Sequence, residues 1–217
     1  MADPGADPGA DLGADLVLLH TSEAHVARFD ALCDRIAPGK LLQHHIRPEW
    51  LTQARAKGLS PDLEMAFQAF MQAQDAPVLC TCTTLGPLAE KAGAIRIDRP
   101  MMQAAARLGT PVLMAYCLES TCAPSMALLS DALRAEGHSP KIRALEIADA
   151  WPAFETGDEV GFAAAIADAI RTHMATFPDT RAVVLAQASM SVAAPLLPDA
   201  PPVLTSPESA LRLGLRL

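Results

Sequence analysis

The sequence predicts an α/β protein built on parallel sheets, in two halves of matching design. Two observations carry this. Short apolar runs of four to seven residues alternate with helical segments along the chain, the pattern of strands covered on both faces by helices. One such run also recurs. Pro77-Val78-Leu79-Cys80-Thr81-Cys82-Thr83-Thr84-Leu85-Gly86 ends in a thiol and hydroxyls, and Ala182-Val183-Val184-Leu185-Ala186-Gln187-Ala188-Ser189-Met190 repeats its form with Gln187 near the thiol's place.

Residues 1–15 repeat Ala-Asp-Pro-Gly and a Leu-containing variant, so little there can be buried and a disordered tail is expected. Leu16 to His20 reads as a buried strand. Thr21 or Ser22 then caps a helix whose apolar positions Val26, Phe29, Leu32 and Ile36 fall at helical spacing, with Pro38-Gly39 as its stop. A second strand covers Leu41 to Ile46. Pro48 opens a helix that Gly58 closes, and Ser60-Pro61-Asp62 caps the next, which carries Leu63, Phe67, Phe70 and Met71. Then come a strand from Val78 to Cys82, a helix from Leu85 to Lys91, a strand from Ile95 to Ile97 and a helix from Pro100 to Leu108.

The second half opens with a strand from Pro111 to Tyr116 and a helix from Ala123 to Glu136. The strand Ile142 to Ile147, the amphipathic helix Val160 to Ala175 and the strand Ala182 to Ala186 follow. A short strand at Val203-Leu204 and a helix from Pro207 end the chain.

Composition narrows the function. Half of the 217 residues are apolar, yet no run of roughly 18 lacks polar interruption, so no membrane partner is expected. The acidic N-terminal segment does not read as a secretory signal. A net charge of −8 argues against a nucleic-acid partner, while local amides and hydroxyls still suit a small carboxylate. Five scattered cysteines fit reduced thiols and a cytoplasmic location. Cys80 and Cys82 share one side of a strand and no histidine follows at finger spacing, so no metal is expected.

Ligands of such sheets bind beyond the carboxyl ends of the strands. His20, Cys82, Cys117 and Gln187 all fall at such ends. Together with the stretches Leu18-Leu19-His20-Thr21, Cys82-Thr83-Thr84, Ala115 to Thr121 with Pro124-Ser125, and Val184 to Gln187, this makes the chain resemble the aspartate/glutamate/hydantoin racemase superfamily, which includes maleate isomerase and arylmalonate decarboxylase. The resemblance implies two pseudo-symmetric α/β lobes, each a small parallel sheet flanked by helices, with the active site in the cleft between them. It divides the chain into a first lobe of residues 16–108 plus 203–217 and a second of 109–202. It implies no cofactor, a small carboxylate or amino-acid substrate, and leaves room for a homo-oligomer.

In the racemases a Cys-Asn-Thr segment ends one strand and a Gly-Cys-Thr segment ends its mate. Here Cys82-Thr83-Thr84 matches the first, and Gln187 stands where the second thiol belongs. A thiol beside amides or a helix start can be tuned into working range as a base, so Cys82 is the expected catalytic group. Cys80, Cys33 and Cys122 read as packing residues; Cys117 reads equally as packing or cleft. Gln187, paired with Cys82 as the second catalytic position, can only make hydrogen bonds: it orients substrate or water, or is a satisfied polar group. Thr83, Thr84, Ser120 and Thr121 supply donors to a carboxylate. His20 binds substrate or caps its helix, and His44 and His45 read as surface or satisfied groups. Three activities follow: a racemase or isomerase moving a proton at the carbon alpha to a carboxylate, a one-thiol decarboxylase or lyase, and a ligand-binding member without turnover.

Overall fold

A computed structural model describes residues 13–217. The expected tail lies outside the described residues except for its last three, and Asp15 among these is fixed. Its N–H donates to Leu41 O at 2.9 Å, and its carboxylate accepts from Lys40 Nζ at 2.7 Å and from the Leu41 N–H at 2.8 Å.

The strands are β1 (Leu16–His20), β2 (Leu42–Ile46), β3 (Val78–Cys80), β4 (Ile95–Arg96), β5 (Val112–Tyr116), β6 (Ile142–Glu146), β7 (Ala182–Leu185) and β8 (Val203–Leu204). The helices are α1 (Val26–Ile36), α2 (Pro48–Lys57), α3 (Pro61–Gln72), α4 (Gly86–Lys91), α5 (Arg99–Arg107), α6 (Glu119–Ala135), α7 (Trp151–Glu155), α8 (Glu159–Thr176) and α9 (Ser206–Leu215). Single-turn 3₁₀ segments cover Glu23–His25 and Ala148–Ala150, and a longer one runs over Ala188–Leu196. No helix among the described residues is long and apolar enough to cross a membrane.

Two four-stranded parallel sheets form, ordered β2-β1-β3-β4 and β6-β5-β7-β8, so the second repeats the first with every strand number raised by four. The central strands β1, β3, β5 and β7 are buried along their whole length, while the edge strands β2 and β6 are mostly half-buried. In each sheet the chain leaves the first strand toward one edge and later returns on its other side. The carboxyl ends of β1 and β3, and of β5 and β7, are therefore switch points where crossovers part and leave an opening.

Alternate residues divide each sheet between two covers. Val17 and Leu19 pack with Trp50, Leu63, Phe67 and Phe70 from α2 and α3, while Leu16 and Leu18 face Phe29 and Cys33 of α1 and Ala210, Leu211 and Leu215 of α9. In the second sheet Leu113 and Leu185 face Phe162, Ile166 and Ile170 of α8, while Val112, Met114 and Val184 face α5 and α6.

The lobe boundaries therefore need correction. β8, expected with the first lobe, pairs with β7 in the second sheet. α5, expected to cover the first sheet, buries Met101, Met102, Ala105 and Ala106 against the second. α9 crosses the other way. α9 lies on the first sheet, where the expected return of residues 203–217 puts it, so the helix after the fourth strand of each sheet covers the other sheet.

Two helical segments had no sequence signal. The run Ala188–Leu196 is apolar on all sides because it packs into both lobes, Ala188 against the first core and Met190 and Ala193 against the second, so it lacks a one-sided stripe. α7 is only five residues long.

Close approach of α9 to β1 is marked by Gly214, where an added Cβ would lie 2.8 Å from Leu16 Cδ2. Leu16 is fully buried and cannot swing away. Gly214→Val is expected to lower stability by about 1–3 kcal/mol in urea unfolding, and a background of Leu16→Ala should reduce that cost. Additive losses would show that the two positions do not share this contact.

Candidate active site

The two pairs of strand ends enclose one cleft of about 520 Å³. Thr21 and Ser22 after β1, Thr81 to Thr84 after β3, Leu118 and Thr121 after β5, and Gln187 to Ser189 after β7 line it. Its mouth is walled by α2 on the first lobe, including Arg55, and by Trp151, Phe154 and Glu155 on the second.

Cys82 lies two residues beyond β3, in a turn closed by the Leu85 N–H to Cys82 O at 3.2 Å and the Gly86 N–H to Thr83 O at 3.0 Å. The turn gathers donors around sulfur. Burial raises the thiol above its ordinary value; against it work hydrogen bonds from the Thr21 hydroxyl, the Leu85 and Thr84 amides, and the Thr84 hydroxyl. Each favours the thiolate, so the site is prepared for an anion while the low-dielectric setting resists one. The expected net lowering is not found: desolvation outweighs the four donors.

The other thiols differ. Cys80 is fully buried, donates to Cys82 O at 3.7 Å and is driven up by burial. Cys117 packs in the second core and is pushed up to about 12 by burial alone. Cys33 packs beneath α9. Cys117 thus takes the packing alternative of its two readings.

Gln187 occupies the position opposite. Its Oε1 accepts the N–H of Cys117 at 2.6 Å and of Leu118 at 3.0 Å. The side chain clasps the end of β5 and leaves only its amide N–H₂ to offer the cleft. The threonines are also committed in part: the Thr83 hydroxyl donates across the lobes to Ala186 O at 3.1 Å, and Thr84 Oγ1 lies 3.2 Å from Ser120 Oγ. Thr121 sits in the first turn of α6, which begins earlier than expected, and lines the cleft. Ser120 faces an adjoining cavity shared through Thr84 and Arg55.

His20, expected to bind substrate or cap a helix, does neither. It is fully buried under the cleft floor. Its Nδ1 lies 2.7 Å from Thr81 Oγ1, its Nε2 lies 2.8 Å from His44 Nδ1, and His44 Nε2 lies 2.9 Å from Asp30 Oδ1. The Thr81 hydroxyl also lies 3.2 Å from Leu19 O, to which it can donate, so His20 is fixed on both ring nitrogens in a chain from Thr81 through His44 to Asp30. Burial lowers His20 to about 3, helped by the nearby His25 and His44.

Sequence reasoning missed Thr21 and His25. Thr21 or Ser22 is expected as a cap, but Ser22 precedes the 3₁₀ turn and makes no side-chain cap bond, while Thr21 lines the cleft and acts against the rise of the Cys82 pKa. His25 lines the cleft, is 9% exposed, and its buried Nδ1 has no hydrogen-bond partner among the described residues. Its ring centroid lies 6.0 Å from that of His20 and 6.1 Å from that of Phe154 in the second lobe. Burial and the charge of Arg28 lower it to about 4. No local sequence period marks it; only its place just after a strand end does.

Neither a family model nor a curated protein sequence matches this chain. Solved structures do. Aspartate racemase of Picrophilus torridus superposes with a TM-score of 0.67 at 13% identity, covering 94% of each chain. Glutamate racemase of Francisella tularensis, solved with D-glutamate, gives 0.64 at 12% identity over 93% of this chain and 79% of its own. Allantoin racemase of Klebsiella pneumoniae gives 0.59 at 15% identity, over 94% and 87%. The fold is therefore one shared with these aspartate, glutamate and allantoin racemases.

Two outcomes follow from these electrostatics. His20 is held neutral with a folded pKa below its unfolded one, so its contribution is present above about pH 6.5 and is lost as pH falls toward its folded value. The urea midpoint should drop over that acid range, and less steeply in His20→Gln. An equal slope in the variant would remove His20 as the cause. Thr21→Val deletes a donor that lowers the Cys82 pKa, so the pH midpoint of Cys82 alkylation by iodoacetamide should move upward. An unchanged midpoint would disconnect Thr21 from the thiol.

Proposed function

We propose that this protein is a cofactor-independent enzyme of the racemase and isomerase type, using Cys82 to move a proton at the carbon alpha to the carboxylate of a small acid or amino acid. The observation that carries this reading is the place of Cys82 in the interlobe cleft beside Thr21 and Thr84, whose groups, with the Leu85 amide, work against the rise that burial imposes on the thiol. A structural cysteine needs no such set, since core thiols pack as small apolar groups. Cys80 and Cys117 do so here.

The chemistry follows from charge. Removing an α-proton places negative charge on the substrate carboxylate, and donors already in place stabilise it without reorganisation. Thr84, Thr121 and the Gln187 N–H₂ serve that carboxylate. Gln187 itself cannot exchange a proton with carbon near neutral pH. The thiolate accepts the proton on one face as the C–H electron pair spreads into the carboxylate, and the thiol returns it. The aspartate and glutamate racemases named above support the substrate class through shared fold, and a cleft of about 520 Å³ suits a small molecule.

A one-thiol lyase is the second reading. Its support is that, among the described residues, no second cysteine lines the cleft. Loss of carbon dioxide would leave the carbanion, and Cys82 would protonate it.

The deciding experiment incubates a panel of amino acids, dicarboxylates and malonates in deuterated water and follows loss of the α-proton by NMR. Exchange is expected for a carboxylate in the panel, and Cys82→Ala should reduce it by at least about a hundredfold. Release of carbon dioxide from a malonate would favour the lyase. Binding of panel members with neither exchange nor carbon dioxide would leave a ligand-binding protein.

A further inference from the structure

Proton transfer from both faces of a carbon needs a second group opposite Cys82, and the second lobe presents Gln187 there. Among the described residues lining the cleft, the side chains that titrate besides Cys82 are His25, Arg55 and Glu155. Glu155 is engaged, accepting from Trp151 Nε1 at 2.8 Å. The Arg55 guanidinium offers hydrogen-bond donors and no acceptor. His25 remains: it lines the cleft and is nine-tenths buried, its Nδ1 is sealed without a partner among the described residues, and its Nε2 is neither sealed nor hydrogen-bonded there.

Position supports the same role. His25 ends the 3₁₀ turn after β1, three residues before Arg28. The Arg28 guanidinium donates to Ser189 O at 3.1 Å and Ala188 O at 3.3 Å, and it pairs with Glu159 on α8. That anchor pulls the start of α1 onto the turn that follows Gln187. His25 meets Phe154 of the second lobe on the same side.

We propose that His25 is a catalytic residue, the proton carrier that takes the place of the missing thiol and works on the face opposite Cys82. This rests on the reading of Cys82 given above. In one direction the C–H bond breaks and its proton forms an N–H bond on the neutral imidazole, while the electron pair spreads into the carboxylate. The Cys82 S–H bond then breaks and a new C–H bond forms on the opposite face, leaving imidazolium and thiolate. The reverse passage, or proton exchange of both groups with water, restores the starting state. Burial and Arg28 keep the ring neutral near pH 7; the other groups facing it are His20 from β1, Glu155 from α7 and, through Arg28, Glu159 from α8.

The test uses the two enantiomers of 2-bromopropionate on the intact chain. With the carboxylate held in one place, they present bromide to opposite faces. Displacement requires attack from the face opposite the leaving group. Cys82 forms a C–S bond with one enantiomer and His25 a C–N bond with the other; bromide leaves in both cases, and the thiol or ring proton passes to water. Peptide mass mapping should find the label on Cys82 with one enantiomer and on His25 with the other. His25 labelling should be nearly flat from about pH 6 to about pH 8, because the ring is already neutral there. In any acid that exchanges its α-proton, His25→Gln should also slow the exchange of one enantiomer by about a hundredfold.

Label on Cys82 from both enantiomers, with His25 untouched, overturns His25 and leaves the Cys82 reading intact. Label on His25 with Cys82 untouched removes Cys82 instead. No label on either residue overturns both assignments.

Discussion

The constraint on which the rest depends is that every strand of a parallel sheet must be covered on both faces, and this chain covers its two sheets with exchanged helices. α5 leaves the first sheet to bury Met101, Met102, Ala105 and Ala106 on the second, and α9 leaves the second to bury Ala210, Leu211 and Leu215 on the first. Each sheet therefore lacks part of its core without the other. An interface made this way is as apolar as a domain interior, unlike the polar contacts of hinged domains. It holds the four carboxyl strand ends around one opening.

That rigidity allows a buried polar site. Links between the lobes are short and specific: Thr83 to Ala186, Thr84 to Ser120, Arg28 to Ala188 and Ser189, and the Arg96 guanidinium to Pro124 O at 3.4 Å. Arg96 is itself held in a two-pronged bond to fully buried Asp98, at 2.7 and 2.9 Å. A buried pair of this kind serves geometry more than stability, since desolvation offsets much of its attraction. Here it fixes the turn from β4 into α5, where the chain crosses between sheets.

The site stores a tension between burial and charge. Desolvation pushes the Cys82 thiol up while four donors pull it down, and the same dryness holds His20 and His25 neutral. The two histidines resolve it differently. His20 has both nitrogens paired and supports the cleft floor through Thr81, whereas His25 keeps a sealed Nδ1 without a partner among the described residues. Gln187 spends its oxygen on the amides of Cys117 and Leu118, which removes them as free donors and stiffens the second lobe where a thiol would otherwise act.

Much of this was legible in the residues. Apolar runs without alternation identify buried parallel strands, and helical spacing with Ser60 as a cap places α3, whose Leu63 N–H Ser60 does accept. The strand-end rule brought Cys82, Thr83, Thr84 and Gln187 to one region from sequence alone, and Thr121 with them. What the residues did not disclose depends on contacts far apart in the chain. Pairing of β8 with β7, the crossing of α5, the burial of His20 and the approach of His25 to Phe154 are decided by which surfaces meet after the lobes close. A local pattern records only the period of a segment's own burial; it carries no information on the partner that provides it. Fold class and thiol position were therefore fixed locally, while the lobe boundaries and the role of each histidine were decided by tertiary packing.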